Sequence, residues 1–559
     1  MVAIMYVERV KNKQANRIYE QILLRESFRE PGAPRGRVKH RTLLNLTHCP
    51  PADVRAIELA LKHKNNIELL QQLTKAPLRS QQERSVGAVW LLWRLAQRIG
   101  LVDALGRSQP ARRILWQIFA RLIDQGSRLS AVRLAREHAA CEVLGLDDFD
   151  EDSLYQDMDW LDARQHCIED RLYRRQYKNA PPQLFLYDVT STYFEGKQNA
   201  YGEYGYNRDG KRGKLQMVVG LLTDVEGVPI SVEVFHGNTQ DLVTVYSQIR
   251  KLADRFGVRE VTLVGDRGML KSAQIEALND ESFHYLTAIT KPQIRVLLRE
   301  GILQLGLFDE KVCEVWTDGV RYILRRNSLR AEEIAEVRAD KFRSLCKRIE
   351  KRNQYLQSHA RAQVEGALRK IERDAKELRI EDWVRIYAEG RRIVAEVDQS
   401  ALDRIGQLDG CYVLKSDVRQ GAATAEQLHA RYKDLSQVEQ AFRSMKMAHL
   451  QIRPVYVRTA AHTRAHVFIV MLAYGLRREL DAAWREMDLA AEGGLGCLSS
   501  LCAEELTIGE KSGYLSVPTP RATVAELFAA CAVEPPTALP RRRAKAATKR
   551  KLPPRRKTR

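Results

Sequence analysis

Between residues 184 and 289 the chain carries five short runs crowded with β-branched and aromatic side chains: Leu184-Phe185-Leu186-Tyr187, Leu215 to Leu221, Pro229 to Phe235, Val261-Thr262-Leu263-Val264 and Tyr285 to Ile289. Runs of this composition and length read as strands of one buried sheet. Asp224-Val225-Glu226-Gly227 predicts the hairpin turn between two of them.

The stretch before this sheet has another period. From about Ala52 to Lys178 apolar residues recur at spacings of three and four, as in Val89 to Trp93, Ile114 to Phe119 and Leu154 to Leu161, which predicts helices. Pro110 and Pro181-Pro182 mark breaks, because proline lacks a donor and disfavours helix in the residue before it. Residues 328–378 hold no proline, one glycine and dense alternating charge, predicting one or two long exposed helices. Short strands follow at Val384 to Tyr387 and Cys411 to Leu414. A last helical stretch starts near Ala425 and resumes after a break at Gly493-Gly494.

Charge is concentrated at the ends. The net charge of the 559 residues is +20. Residues 541–559 hold eleven Lys or Arg and no acid, and residues 1–50 hold ten basic against four acidic side chains. The tail beyond Pro535 is predicted to be disordered, since it has too little apolar surface to bury. No start resembling a secretory leader is readable, and the longest strongly apolar run, Val467 to Leu476, is far shorter than the ~20 residues that span a bilayer. Nine scattered cysteines without a CxxC pair read as reduced thiols of a cytosolic protein.

Three acids stand where chemistry would use them. Asp188 follows the first strand run, Asp266 follows Val261 to Gly265, and Gly268 lets the backbone approach a ligand closely. Glu439 lies in a helical segment on which Tyr432, Glu439, Arg443 and Lys446 fall within about 60° of one another at ~100° per residue. Leu435, Val438, Phe442 and Met445 fill the adjoining apolar sector and are expected to pack on the sheet. Taken singly, each acid is also read as an ordinary turn residue or a member of a solvated helix face. If the three converge, their repulsion demands a cation, and oxygen-only ligands suit Mg²⁺ or Mn²⁺. Two such ions would serve a phosphodiester displacement. Arg443 and Lys446 would then hold phosphates.

These residues carry a resemblance. The chain resembles bacterial insertion-sequence transposases with a DDE triad, in the group of the insertion sequence four superfamily whose signature is Tyr-x2-Arg-x3-Glu-x6-Lys. The matching stretches are Tyr187 to Gly196, Tyr204 to Gly210, Phe235-His236-Gly237-Asn238-Thr239-Gln240-Asp241, Val264 to Met269 and the Glu439 helix, within a similarity covering roughly residues 80–500. The resemblance implies an α/β chain: a ribonuclease-H-like catalytic domain, a mixed five-stranded sheet with helices, interrupted by an insertion domain and preceded by a helical N-terminal region. The organisation expected is a basic N-terminal arm or hairpin (1–50), a helical DNA-end-binding region (51–180), the first part of the catalytic domain (181–290), the insertion with its long charged helices (291–425), the second part with the Glu helix (426–480), a C-terminal helical region (481–535) and the disordered basic tail (536–559). The 173-residue step from Asp266 to Glu439 is too long for a simple connection and matches that insertion.

The family pattern makes Asp188, Asp266 and Glu439 the catalytic, metal-binding triad of a metal-dependent polynucleotidyl transferase, served by two Mg²⁺ ions for which Mn²⁺ substitutes. It implies DNA as partner, both terminal inverted repeats and target, with 3′-end cleavage followed by strand transfer. A homodimer in the synaptic complex and a place in the bacterial cytoplasm at the nucleoid are further family expectations; a membrane is not. Tyr432 and Lys446 occupy the signature Tyr and Lys and are expected to contact DNA. The signature Arg falls on Leu435, and Arg443 is the candidate replacement. Arg208, Lys211 and Arg212, with Lys214, form a basic loop that grips DNA or is simply solvated. Asn238 and Asp241 line the site or, as preferred, cap a helix starting near Leu242. His236 reads as a packed residue. Two competing readings are a DNA-binding protein that no longer transposes and a tyrosine recombinase built on Arg453, His462, Arg464 and Tyr474.

Overall fold

The computed structural model describes the chain except residues 1–3, 15–16, 30–37, 63–77, 179–181, 207, 209, 212, 257–261, 267–268, 271, 281–282, 447–449, 454–456, 509–510, 543 and 549–559. At its centre is a sheet of strands β1 (Leu184–Tyr193), β2 (Gln216–Asp224), β3 (Pro229–His236), β4 (Thr262–Gly265), β5 (His284–Ala288), β6 (Cys313–Thr317), β7 (Val320–Arg326) and β8 (Cys411–Ser416). Their order is β6-β7-β8-β5-β4-β1-β2-β3. The pairs β1–β4 and β4–β5 are parallel and the other neighbours antiparallel. All five expected strands are present as neighbours, and the Asp224–Gly227 turn closes β2 onto β3.

The sheet has eight strands where five were expected. The outer edge of β5 would expose unpaired backbone groups, and β8 covers it through Leu414–Ala288, Lys415–Thr287 and Ser416–Leu286. The three added strands come from the segment expected as a separate insertion. The rest of that segment has its own core. Helices Ser328–Ser358 and Val364–Leu378 pack on each other and on the hairpin Val384–Glu389/Arg392–Val397 around Leu345, Ile349, Ile371 and Trp383.

Helix Ala460–Ala483 is the spine of the molecule. Its buried side chains meet helices Gln109–Ile123 and Glu151–Asp162 on one side and β3 on the other. Pro110 sits in the first turn of Gln109–Ile123, behind the N-cap Ser108, so the break it signals precedes it. The Gly493-Gly494 pair, expected to interrupt a helix, lies inside helix Ala491–Leu498. A Cβ on Gly494 would stand 2.2 Å from the ring of the fully buried Trp484, so this glycine allows close packing.

The N-terminal end contains a hairpin, one of the two forms expected there, and adds a third strand to it; the C-terminal end departs from expectation. Residues 1–50 form three antiparallel strands, Ile4–Gln14, Arg17–Arg29 and Val38–Asn45, with Leu24, Leu46 and Val54 of helix Pro51–Lys62 as a small core. The regions expected to be helical at 51–180 and 481–535 also contribute strands. Leu78–Ser85 pairs with Cys502–Ile508, which continues through Lys511–Ser516 to Ala538–Leu539. The tail is ordered up to residue 548 among the described residues: Arg541 bridges to Glu505 at 2.8 Å, and Phe149 bridges to Ala546. Backbone hydrogen bonds from a folded acceptor surface hold it where its own composition could not.

Candidate active site

β1 and β4 run side by side only as far as Tyr187–Gly265. The next residues on the two strands are Asp188 and Asp266. Beyond this fork β1 continues for five more residues with β2 alone, leaving one edge of its second half uncovered by β4. Asp188 is thus inside the strand, half-buried, while Asp266 is exposed in the segment that leaves the sheet.

Alternation along β1 decides what covers Asp188. Leu184 and Leu186 share its face and belong to the core formed with Val438, Ala441, Phe442 and Met445 of helix Leu435–Lys446. The opposite face, Phe185, Tyr187 and Val189, belongs to a separate core with Val245 and Leu263. Leu435, Val438, Phe442 and Met445 are all buried, as their apolar sector predicts, and Glu439 and Arg443 are exposed on the other side of the helix. Lys446 is half-buried.

The single polar helical stripe is divided in the structure. Helix Ala425–Lys433 ends at Asp434, and Tyr432 belongs to it rather than to the Glu439 helix. Tyr432 still turns to the site: its hydroxyl stands 3.4 Å from Asp266 Oδ1. Leu435, at the signature Arg position, is 7% exposed and packed in the core, so that position holds the helix onto the sheet.

The Asp188 carboxyl is pushed up to about 7, chiefly by burial and further by the charges of Asp266 and Glu439; the Val189 backbone N–H and Arg208 oppose the rise. Asp188 therefore feels the charges of both other acids. Among the described residues no three side chains of His, Cys, Asp and Glu stand close enough together to grip a metal ion as they are. The donor set is nevertheless all carboxylate, the chemistry that hard divalent cations take.

Arg208 is engaged within the protein. Its Nη1 donates to the Val189 carbonyl at 2.6 Å, its Nη2 to Asp241 Oδ2, and its backbone N–H to Ser191 Oγ at 2.9 Å. Lys214 pairs with Glu195 at 3.0 Å, and the charge of Lys211 acts on Glu195 as well. Arg212 and Gly268 lie outside the described residues. Asn238 and Asp241 are not caps: the N-cap of helix Asp241–Arg250 is Gln240, without a side-chain bond. Both instead line a cleft of about 330 Å³ with Ser191 and Arg208. His236 lies 5.1 Å from Tyr201, ring centroid to ring centroid, with the two planes tilted by 52°.

The tyrosine-recombinase grouping is dispersed. Arg464 is taken by Asp162 at 2.6 Å, His462 by Asp159 at 3.1 Å and Arg453 by Glu195 at 3.2 Å, while Tyr474 is buried in its helix. What sequence reasoning missed about Arg453 is its place, with its guanidinium 4.8 Å over Tyr193 at the end of β1. No local pattern links positions 260 residues apart.

Comparison with known proteins agrees with this architecture. Residues 7–72 match the family model described as "IS1634 family transposase, N-terminal domain". No curated protein matches the chain. A solved piggyBac transposase synaptic complex with hairpin DNA aligns at 8% identity over 74% of this chain and 75% of that one, with a TM-score of 0.36, a level that carries no argument. Among the described residues no helix is long and apolar enough to cross a membrane. Residues 179–476, just over half of the chain, match the model "Transposase DDE domain": the chain belongs to that family and is a DDE transposase, an enzyme whose partner is DNA.

Proposed function

We propose that the chain cuts the 3′ ends of its insertion sequence at terminal inverted repeats and joins them to target DNA, with Asp188, Asp266 and Glu439 as the catalytic triad. The observation that carries this reading is the Tyr187–Gly265 register, which brings two acids to the fork of two parallel strands under the Glu439 helix. The order β3-β2-β1-β4-β5 at one end of the sheet supports a ribonuclease-H-like core, with residues 291–425 as an insertion that lends three strands back to it.

Two Mg²⁺ ions, or Mn²⁺ in their stead, held by the three carboxylates would polarise the attacking and departing oxygens. Burial and two like charges disfavour the ionised form of Asp188, and a bound cation reverses that preference. Arg443 and Lys446 extend from the Glu439 helix toward phosphates beside the reacting bond. Tyr432 orients Asp266 and contacts DNA. Lys211 lies on the β1–β2 loop that Arg208 anchors and meets the DNA backbone; Arg212, outside the described residues, is its sequence neighbour and adds a second cation to the same contact. A homodimer assembles two ends in the synaptic complex at the bacterial nucleoid. This reading follows the group with the Tyr-Arg-Glu-Lys signature in the insertion sequence four superfamily, with Leu435 as its departure.

The test is cleavage of a duplex carrying the element's end in Mg²⁺ or Mn²⁺. Asp188→Ala, Asp266→Ala and Glu439→Ala are each expected to abolish cleavage while retaining folding and DNA binding. Full activity in any one of them would remove that residue from the triad.

A further inference from the structure

Two guanidinium groups are buried without an acid against them among the described residues. Arg121 and Arg128 are 5% and 6% exposed. Arg121 Nη1 donates to the Gln125 carbonyl at 2.7 Å, Arg128 Nη2 stands 3.5 Å from His466 Nδ1, and Arg128 Nε has no hydrogen-bond partner among the described residues. Burial and the neighbouring Arg128 pull Arg121 down to about 9, and burial pulls Arg128 down to about 10, so both still carry their charge at neutral pH.

His466 supplies no countercharge. Its Nε2 lies 3.1 Å and 3.2 Å from the carbonyls of Ile452 and Gln451, so that nitrogen holds the proton and Nδ1 is left to accept from Arg128. Asp124 is the acid whose charge reaches Arg121, but it is exposed and accepts a hydrogen bond from Ser130 Oγ. The segment that closes this region from the sheet side has no Asp or Glu between Glu439 and Glu479.

The two arginines line a cavity of about 30 Å³ together with Ser127, Arg453 and His466. Helix Arg128–Glu137 begins there, with Ser127 as N-cap, and its first N–H groups add partial positive charge. Arg453 connects the cavity to the far end of β1 through Tyr193 and Glu195. Tyr193 is five residues past Asp188 on β1, roughly 17 Å at ~3.3 Å per residue.

Arg121 and Arg128, buried with no carboxylate against them among the described residues, cost the fold heavily unless an anion joins them. We infer that Arg121, Arg128, Arg453 and the helix N-terminus form a binding site for the oxygens of a phosphate group, supplied by the backbone of DNA bound along β1 or by free phosphate. The cavity admits only one or two oxygens, which leaves the rest of the group against Arg453. The site does not depend on the triad assignment.

The experiment uses the full chain and its Arg121→Met/Arg128→Met and Arg453→Gln variants. Thermal unfolding is followed in inorganic phosphate and in chloride at equal ionic strength, and binding is measured on end duplexes with one uncharged methylphosphonate moved along the backbone. Phosphate is expected to raise the wild-type midpoint by ~3 °C or more and neither variant's. In chloride the double variant should be at least as stable as wild type, because unpaired charge has gone. A methylphosphonate position that weakens wild type ~10-fold and leaves both variants unchanged assigns the phosphate to DNA. Phosphate-specific stabilisation without such a position assigns it to free anion. No phosphate-specific shift in wild type together with no such position overturns the inference, as does a folded double variant with an undiminished phosphate response. If the double variant does not fold, Arg453→Gln and wild type decide between the same outcomes.

Discussion

Arg208 Nη1 donates to the Val189 carbonyl at 2.6 Å, one residue beyond Asp188 on the same strand. The bond pins the β1–β2 loop to the strand that carries the first acid, and it fixes a cation where it opposes the rise in the Asp188 pKa. One side chain therefore links loop geometry to the protonation of the site.

Replacing it should separate those effects. Arg208→Gln removes the offsetting charge, so Asp188 titrates at a higher pH and the acid limb of the cleavage profile moves to higher pH, by roughly half a unit to one unit. The check is rate against pH for end-duplex cleavage. An acid limb that stays in place would mean that Arg208 serves the loop alone.

Asp188 itself should make the metal-free protein pH-sensitive. Its folded pKa, about 7, lies above the ordinary 3.8, so the folded state keeps a proton that the unfolded state releases. That contribution is full below the unfolded value and is lost as pH rises through the folded one. In chelator above pH 7, Asp188→Asn should be more stable than wild type, with about 4 kcal/mol as the upper bound. Mg²⁺ should restore wild type and leave the variant unmoved. Equal stability of the two proteins at pH 8 in chelator would count against the buried, crowded carboxyl.

Tyr432→Phe keeps the ring and loses the hydroxyl at Asp266. Cleavage should fall ~3- to 10-fold, the loss of about 1 kcal/mol expected of one ordinary hydrogen bond at this long distance, with the unfolding midpoint unchanged. A variant that cleaves at the wild-type rate would leave Tyr432 with packing only.

Gly494→Ala tests a packing claim far from the site. The added methyl meets the Trp484 ring, and the expected cost is ~1–3 kcal/mol, read by urea unfolding with a changed Trp emission. Neutral behaviour would show that the helix can shift.

The tail's cations fall on both sides of residue 548, the last described one. Removing 549–559 deletes Lys549, Arg550, Lys551, Arg555, Arg556, Lys557 and Arg559, and should flatten the log–log salt slope of DNA binding by at most about 6. Cleavage at low salt should persist. Removing 541–548 as well should also lower stability, because Arg541 and the Phe149–Ala546 bridge are lost.

The catalytic sheet was legible because its signals are local. Five strand runs, the Asp224–Gly227 turn and the apolar sector Leu435, Val438, Phe442 and Met445 each announce themselves within ten residues, and burial follows from composition. The helix end at Asp434 was not legible, since it lies within an unbroken helical period. Nor was the strand Leu78–Ser85, whose polar Leu-Arg-Ser-Gln-Gln-Glu-Arg-Ser has no strand pattern and pairs with residues more than 400 positions away.

By itself the sequence determined which segments must be buried, where the charge lies and which acids are candidates, because periodicity and composition act over one or two turns. Only the tertiary structure decided that β8 extends the sheet from the insertion, that Asp188 and Asp266 meet at a fork, and that Arg121 and Arg128 are buried together. Each of these depends on strand register or on contact between distant segments. A single chain does not encode such pairings in any local window, since a register follows from how whole faces pack.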